Sequence, residues 1–210
     1  MKEMKQYTIN KISAQHDWSA IPQLAIDCKY SNTTDDVRAF GQICCNESEL
    51  LIHLWTEQKE IRAEEQGLLG MPCKDSCLEF FFCPQEEDIR YLNIEFNFNK
   101  CLFLGIGTGL QDLSRIIVSN IESIFLPKVY RTEHGWEIYF KVPYQFIRRF
   151  FPNFQVFDGK TIRANCYTCS ESSAIPYDFS WNRIQGTPLT FHRPGDFGIM
   201  DFRLSPNTSI

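Results

Sequence analysis

Residues 75–109 read DSCLEFFFCPQEEDIRYLNIEFNFNKCLFLGIGTG, and this stretch decides the fold. Three successive segments of it place apolar side chains at alternate positions, as Leu92, Ile94 and Phe96 show. Such alternation is typical of β-strands that bury one face. Pro84 ends the first segment and Asn99-Lys100 makes a tight turn after the second. The stretch therefore predicts three neighbouring strands of an antiparallel sheet.

The second of these strands carries an unusual row of polar side chains. Asn93, Glu95, Asn97 and Asn99 share the face opposite the apolar one. Asparagine is a poor strand former, so local propensity does not explain the row. Amides and carboxylates supply fixed hydrogen-bond donors and acceptors, which suit a ligand rich in hydroxyl groups. Two interpretations stay open: the row faces solvent and binds such a ligand, or it braces neighbouring loops.

The same stretch resembles the family 9-like carbohydrate-binding modules, a group of DOMON-like β-sandwich domains. The resemblance rests on motifs in a fixed order: DSCLEFF at residues 75–81, YLNIEFN at 91–97, the segment from Trp136 to Pro143, RANCYTC at 163–169, FSWNRI at 179–184 and FHRPGDFG at 191–198. It implies an all-β, antiparallel β-sandwich of jelly-roll or DOMON-like type with one short helix. It also implies one carbohydrate-binding domain over residues 1–210.

Length and composition agree with that expectation. A chain of 210 residues with 18 Phe is long enough for two sheets packed face to face. Residues 7–12 are predicted to form an opening edge strand. Pro143 is predicted to begin a short helix over residues 144–150 that closes one end of the sandwich.

The resemblance implies non-catalytic binding of a mono- or oligosaccharide, through aromatic stacking and hydrogen bonds to its hydroxyl groups. Members of the family hold a sugar between two Trp rings with amides, a carboxylate and an arginine around it. The candidate ligand-binding residues are Trp55, Glu79, Asn93, Glu95, Asn97, Arg163, Asn165, Trp181 and Asn182. For Trp55, cover by a loop is the alternative, and for Trp181, packing beneath the closing strand.

Two other functions are weighed against sugar binding. Glu79 and Glu95 fall on adjacent predicted strands and could serve as the paired carboxylates of a glycoside-processing enzyme. Some DOMON-like domains bind haem or another metal, but no Met-His pair stands out for that role. No cofactor is expected beyond a structural calcium ion, for which the acidic loops at 35–36 and 86–88 are candidates. No catalytic residue is predicted, although association with glycoside hydrolases fits the family.

Charge and cysteine usage limit the partners and the compartment. The net charge of −5 and the lack of a basic patch argue against nucleic acid, and no apolar run reaches membrane-spanning length. No apolar core of a signal peptide is present, so a cytoplasmic location is expected, or an extracellular one if a signal was removed. Nine cysteines, an odd number, favour free thiols in a reducing compartment. Zinc is not predicted, because paired knuckle spacing is missing. The sequence does not indicate an oligomeric state.

Overall fold

The computed structural model describes residues 4–13, 17–30 and 36–204. The strands defined in these residues are β1 (Gln6–Lys11), β2 (Leu24–Ala25), β3 (Cys28–Lys29), β4 (Arg38–Cys45), β5 (Glu49–Glu57), β6 (Cys77–Cys83), β7 (Tyr91–Asn97), β8 (Leu102–Gly107), β9 (Ser114–Arg115), β10 (Lys128–Arg131), β11 (Gly135–Pro143), β12 (Thr161–Ser170), β13 (Tyr177–Ser180) and β14 (Gly198–Arg203). The α-helices are α1 (Ile121–Ile124) and α2 (Tyr144–Ile147), and short 3-10 turns lie at Trp18–Ala20, Pro72–Lys74, Leu110–Asp112 and Pro194–Asp196.

The long strands form one continuous curled sheet. Its order is β10-β11-β5-β4-β1-β14-β12-β6-β7-β8-β9. Most neighbours are antiparallel, but β1 runs parallel to both β14 and β4. The predicted β-sandwich class is confirmed, and the three strands predicted from residues 75–109 are β6, β7 and β8.

Strand β1 differs from its prediction as an edge strand. It lies in the interior of the sheet and joins the two halves of the sandwich through β14 and β4. Both partners are distant along the chain, so this parallel pairing leaves no local signal in the sequence.

The two ends of the curled sheet pack face to face around an aromatic core. Phe96 on β7 and Phe140 on β11 have ring centroids 5.3 Å apart, and Phe98 contacts Trp136 at 6.0 Å. Burying an aromatic or aliphatic side chain of this size contributes roughly 1.5–3 kcal/mol. The inward-facing residues of the alternating segments therefore contribute to the stability of the sandwich.

Helix α2 begins after Pro143, as predicted, but ends at Ile147. The chain then turns back on itself, and Phe151 is fully buried in the main core. Helix α1 is the second short helix and lies before β10. Both helices are single turns, so within the described ranges no helix has the length and apolar character needed to cross a membrane.

The outer face of the half-sheet β12-β6-β7-β8 is covered by loops. Every residue of β6 and of β7 is buried, including those on the polar face. A second apolar cluster, which includes Phe81, Tyr91 and Phe197, fills part of the space between this face and the loops. Of the two interpretations of the polar row, an open face towards solvent is not what the structure shows: the row lies on a covered face that retains one cavity.

All nine cysteines lie in the described part of the chain, and all are free thiols. The thiols of Cys77 and Cys169 lie on the covered outer face.

Candidate functional site

A cavity of about 440 Å³ opens on the covered face, above β6, β7, β8 and β12. The strands contribute Glu79, Glu95, Phe103 and Cys169 to its lining. Asp178 of β13 and Cys73 of the 3-10 turn at Pro72–Lys74 also line it. Surrounding loops add the thioether of Met71, the acidic side chain of Glu171 and residues 189–192. The cavity therefore combines acidic, aromatic and sulfur-containing groups on a rigid sheet.

Four residues cross this sheet in a single row. Tyr167 on β12 pairs with Glu79 on β6, Glu79 pairs with Glu95 on β7, and Glu95 pairs with Phe103 on β8. Directly opposite residues in an antiparallel sheet have Cβ atoms about 4.5–5.5 Å apart. The two carboxyl groups thus lie side by side between two aromatic residues.

Both carboxyl groups are held by neighbouring side chains. The Glu79 side chain accepts from Cys169 Sγ at 3.1 Å, and Glu95 Oε1 accepts from Asn93 Nδ2 at 2.7 Å. The exposed fractions of the two glutamates are only 2 % and 4 %. Oδ1 of Asn93 is buried without a hydrogen-bond partner among the described residues. Asn93 therefore orients Glu95 through its amide N–H, while its own oxygen accepts no hydrogen bond from the described residues.

Burial raises the pKa of both glutamates. For Glu95 the negative charge of Glu79 adds to the effect of burial, while Asn93 and Arg115 oppose it. For Glu79 the raising charges are Asp178 and Glu171, and the hydrogen bonds from Cys169 and Cys77 oppose them. Removal from water disfavours the charged form, and so does a like charge nearby. The pair therefore favours the acid form, in which a carboxyl group can donate as well as accept a hydrogen bond.

Two phenylalanine rings line the same cavity. The ring of Phe103 has the guanidinium carbon of Arg115 over it at 4.6 Å. The ring of Phe191 stacks on Tyr167 with centroids 4.2 Å apart and planes inclined by 13°. These two residues were missed in the sequence. The position of Phe103 opposite Glu95 could have been predicted, because strand alternation and the tight turn at 99–100 set this pairing.

His192 closes the cavity near the Phe191 side. Its Nδ1 lies 2.7 Å from the hydroxyl of Tyr91, and its ring centroid is 5.3 Å from that of Phe81. Burial lowers the pKa of His192 to about 4, so the imidazole is neutral near pH 7. A neutral ring with one nitrogen satisfied by Tyr91 contributes polarity to the cavity wall without charge.

Asn97 lies on the same face of β7 but outside the cavity lining. Its Nδ2 donates to the backbone oxygen of Glu65 at 2.9 Å and to Asp75 Oδ2 at 2.8 Å, and its Oδ1 accepts from the backbone N–H of Cys101 at 2.9 Å. Every polar group of the side chain is engaged, so Asn97 braces the loop that precedes β6.

Asn165, Asn182 and Arg163 also brace loops. Oδ1 of Asn165 accepts from the backbone N–H of Asn182 at 2.8 Å, and its Nδ2 donates to the backbone oxygen of the same residue at 2.9 Å. The Asn182 side chain bonds the backbones of Lys5 and Asp196. Arg163 donates to the backbone oxygen of Pro194 at 3.0 Å. These contacts fix the closing segment to β12.

Trp181 packs beneath the closing strand. Its exposed fraction is 3 %, and its ring meets Tyr7 edge-on with centroids 6.5 Å apart. A Cβ placed on Gly198 of β14 would come within 2.5 Å of Trp181 Cζ3, so the glycine makes room for the ring. Of the two interpretations of Trp181, the structure supports the packing role.

Trp55 lies on β5, in the other half of the sheet, and does not line the cavity. Its ring lies nearly parallel to those of Phe40, at 5.4 Å, and His53, at 4.6 Å. His53 in turn stacks on Tyr139 at 4.0 Å. Trp55 thus belongs to an aromatic patch separate from the row of Glu79 and Glu95.

The candidate metal ligands fall in two places. At the floor of the cavity, three ligand atoms lie within 4.8 Å of one another: the Sγ atoms of Cys77 and Cys169 and a carboxylate oxygen of Glu79. Of the acidic loops considered for calcium, Asp35 lies outside the described residues, and Asp88 is ion-paired with Arg90.

A larger depression of about 850 Å³ lies between the loops at 85–89 and 153–161. It is lined by loop residues and by Thr161 at the start of β12, and it touches none of the polar row on β7. The smaller cavity is the better candidate site, because rigid strands position its polar groups.

Comparison with known proteins relates this arrangement to one family. A family model described as carbohydrate-binding family 9 matches residues 11–202. A search of curated proteins gave no match.

Three solved structures share the fold. A candidate carbohydrate-binding protein from Bacteroides uniformis is 22% identical with a TM-score of 0.78, and the match covers 96% of this chain and 100% of that one. A family 9 carbohydrate-binding module from Caldicellulosiruptor kristjanssonii, in complex with cellotriose, is 10% identical with a TM-score of 0.68 and coverages of 98% and 97%. A module from the same organism in complex with glucose is also 10% identical, with a TM-score of 0.66 and coverages of 97% and 98%.

Proposed function

The chain belongs to carbohydrate-binding family 9, and from this premise we propose that its strand cavity binds a mono- or short oligosaccharide without chemically changing it. The family resemblance seen in the sequence is thereby confirmed. The observation that carries the proposal is the row Tyr167–Glu79–Glu95–Phe103, which brings two carboxyl groups and two aromatic residues together at one cavity. The glucose and cellotriose complexes of the Caldicellulosiruptor modules support sugars as the ligand class.

Glu79 and Glu95 are the proposed hydrogen-bonding residues. Adjacent hydroxyl groups on a sugar ring each both donate and accept, and a pair of carboxyl groups offers four oxygens to them. Asn93 holds Glu95 at 2.7 Å and so fixes the orientation of one of these carboxyl groups. Asn97, Arg163, Asn165 and Asn182 support the site from outside, because backbone groups already engage their side chains.

Phe103 and Phe191 are the proposed stacking residues, in place of Trp55 and Trp181. An aromatic ring covers the apolar C–H face of a pyranose, while the hydroxyl groups at the ring edge reach polar partners. Phe103 lies directly opposite Glu95, so a sugar that packs on this ring has its edge close to the carboxyl pair. A cavity of about 440 Å³ lies in the range of small-molecule sites.

A glycoside-processing enzyme is the second candidate, since Glu79 and Glu95 are paired directly across two strands. Retaining glycosidases place their two carboxyl groups about 5–5.5 Å apart, which neighbouring strands can provide. Those enzymes, however, have one carboxyl group on each side of the scissile bond. Here both belong to one wall of the cavity, which favours binding over hydrolysis.

Isothermal titration calorimetry with glucose, cellotriose and a panel of other sugars tests the proposal on chelator-treated protein. Calorimetry is preferable to tryptophan fluorescence, because no tryptophan of the described residues lines the cavity. We expect saturable binding of at least one sugar and no release of shorter products from cellotriose. Folded protein that binds none of the panel would contradict sugar binding, and product release would instead support the enzyme.

A further inference from the structure

Two cysteines and one glutamate converge at the floor of the cavity. Cys77 on β6 lies directly opposite Cys169 on β12, and Glu79 follows Cys77 on the same face of its strand. Their ligand atoms lie within 4.8 Å of one another, and they form the one such group of three found in the described residues. This pairing comes from the strand register and not from a local Cys-x-x-Cys spacing.

We propose that Cys77, Cys169 and Glu79 bind a divalent cation that prefers sulfur ligands, with Zn²⁺ as the first candidate. Two thiolates and a carboxylate are common ligands of zinc, which usually takes four ligands in a tetrahedron. Calcium and magnesium prefer all-oxygen surroundings, so the two sulfur atoms select against them. A water molecule that enters through the cavity, which Glu79 and Cys169 line, would supply the fourth ligand.

The geometry needs little adjustment to hold such an ion. Ligand distances of about 2.3 Å for sulfur and 2.0–2.2 Å for oxygen place neighbouring ligand atoms roughly 3.5–3.8 Å apart in a tetrahedron. Cys169 Sγ and Glu79 Oε1 are 3.1 Å apart. All three residues lie on two adjacent strands of one sheet, so we expect small side-chain movements to bring the ligand atoms to these distances.

The charges around the group also favour a cation. Glu95, Glu171 and Asp178 line the cavity together with Glu79 and Cys169. Among the described residues, neither Glu79 nor Glu95 forms an ion pair with a lysine or arginine. Buried acidic groups are costly without a positive partner, and a dication supplies one.

Access to the group is through the cavity. Cys169 and Glu79 line it, whereas Cys77 lies behind them with no exposed surface. Binding by thiols releases their protons to solvent as the two sulfur–metal bonds form. The metal site shares the cavity with the proposed sugar site but does not depend on sugar binding.

Cobalt titration of reduced, metal-free protein tests the proposal. Co²⁺ replaces Zn²⁺ in tetrahedral sites and reports sulfur ligation through a thiolate-to-cobalt charge-transfer band, with visible bands that indicate tetrahedral geometry. We expect these bands to saturate at one equivalent per chain and to disappear when Zn²⁺ is added. Folded, reduced protein without a charge-transfer band would overturn the proposal.

Matched variants identify the ligands. Cys169→Ala should abolish the charge-transfer band or weaken cobalt binding more than about tenfold, and Glu79→Gln should weaken it by a similar factor. Cys166→Ala is the control, since Cys166 lies on the same strand but in the main core, facing away from the cavity. A band retained in folded Cys169→Ala would also overturn the proposal.

The sugar experiment separates this proposal from the proposed function. Calorimetry in the presence of chelator measures sugar binding without metal, and cobalt spectra without sugar measure metal binding. Loss of one signal with retention of the other therefore assigns the failure to one proposal alone.

Discussion

Glu79 and Glu95 lie directly opposite each other on β6 and β7, and both side chains reach the same cavity. Like charges opposite each other weaken a sheet, and burial increases that cost. This fold nevertheless keeps two carboxyl groups with raised pKa values at a cavity that a ligand can enter. Such clusters of perturbed pKa values are typical of functional sites.

Glu95→Ala should lower sugar affinity about twofold to tenfold, because it removes a hydrogen bond to a neutral carboxyl group worth roughly 0.5–1.5 kcal/mol. Glu95→Gln keeps an acceptor for Asn93 and serves as the variant least disturbing to the fold. Calorimetric titration of each variant gives the affinity. Glu87→Ala is the control, because Glu87 lines the larger depression and should leave affinity unchanged. If Glu87→Ala alone lost affinity, the sugar site would instead lie in the larger depression that Glu87 lines.

Phe103→Ala should weaken sugar binding about tenfold, since a stacked aromatic contact contributes roughly 0.5–1.5 kcal/mol beyond its buried area. Trp55→Ala is the matched comparison, because Trp55 is also a partly buried aromatic residue on an outer strand face but belongs to the separate patch with Phe40 and His53. Calorimetry with the best sugar of the panel measures both. The opposite ranking of the two variants would favour the patch around Trp55 as the binding site.

The strands could be predicted from sequence because their signal is local. Alternation in residues 75–109 gave β6, β7 and β8, and the same alternation with the turn at 99–100 sets Phe103 opposite Glu95. The cover over the polar face could not be predicted in this way. Loops that are distant in sequence supply His192 and Phe191, and their position depends on the closing segment of the fold.

The pairing of Cys77 with Cys169 shows the same limit. The cysteine pairs that are close in sequence are Cys73 with Cys77 and Cys166 with Cys169. Neither of these pairs indicated a metal site. The observed pair is 92 residues apart and depends on the register between β6 and β12. The burial of Trp181 could not be predicted from sequence either, because the space for its ring is left by Gly198 on another strand.

Asn97→Ala should destabilise the fold by at least about 2 kcal/mol, because each buried group left without a partner costs roughly 1–3 kcal/mol. The substitution takes this partner from the Glu65 backbone oxygen and from the Cys101 N–H, and it removes one of the three hydrogen bonds that Asp75 Oδ2 accepts. Urea denaturation gives the free energy of unfolding. Asn99→Ala is the control: Asn99 is exposed and bonds only the Ala63 backbone oxygen at 2.8 Å, so a change below about 1 kcal/mol is expected. Equal effects in the two variants would contradict the bracing role of Asn97.

His192 should make the fold less stable in mild acid. Burial lowers its pKa from 6.5 to about 4, so between these values the unfolded chain binds more protons than the folded one. The free energy of unfolding then falls as the pH drops from about 6.5 towards 4, by at most about 3 kcal/mol from this residue. His192→Gln should reduce that slope while keeping an acceptor for Tyr91. Urea denaturation across this pH range measures the difference, and parallel curves for both proteins would refute the prediction.

Gly198→Ala should destabilise the fold by about 1–3 kcal/mol through overpacking. The added Cβ would lie 2.5 Å from Trp181 Cζ3 and 2.9 Å from the Lys5 backbone oxygen, so the buried indole and the backbone would have to move apart. Gly195→Ala in the same closing segment is the control, since a Cβ there meets nothing within 4 Å and stability should change by less than about 0.5 kcal/mol. Thermal and urea denaturation of both variants measure the effect. If Gly198→Ala proved as stable as Gly195→Ala, Trp181 would be free to shift, and its assignment to packing alone would fail.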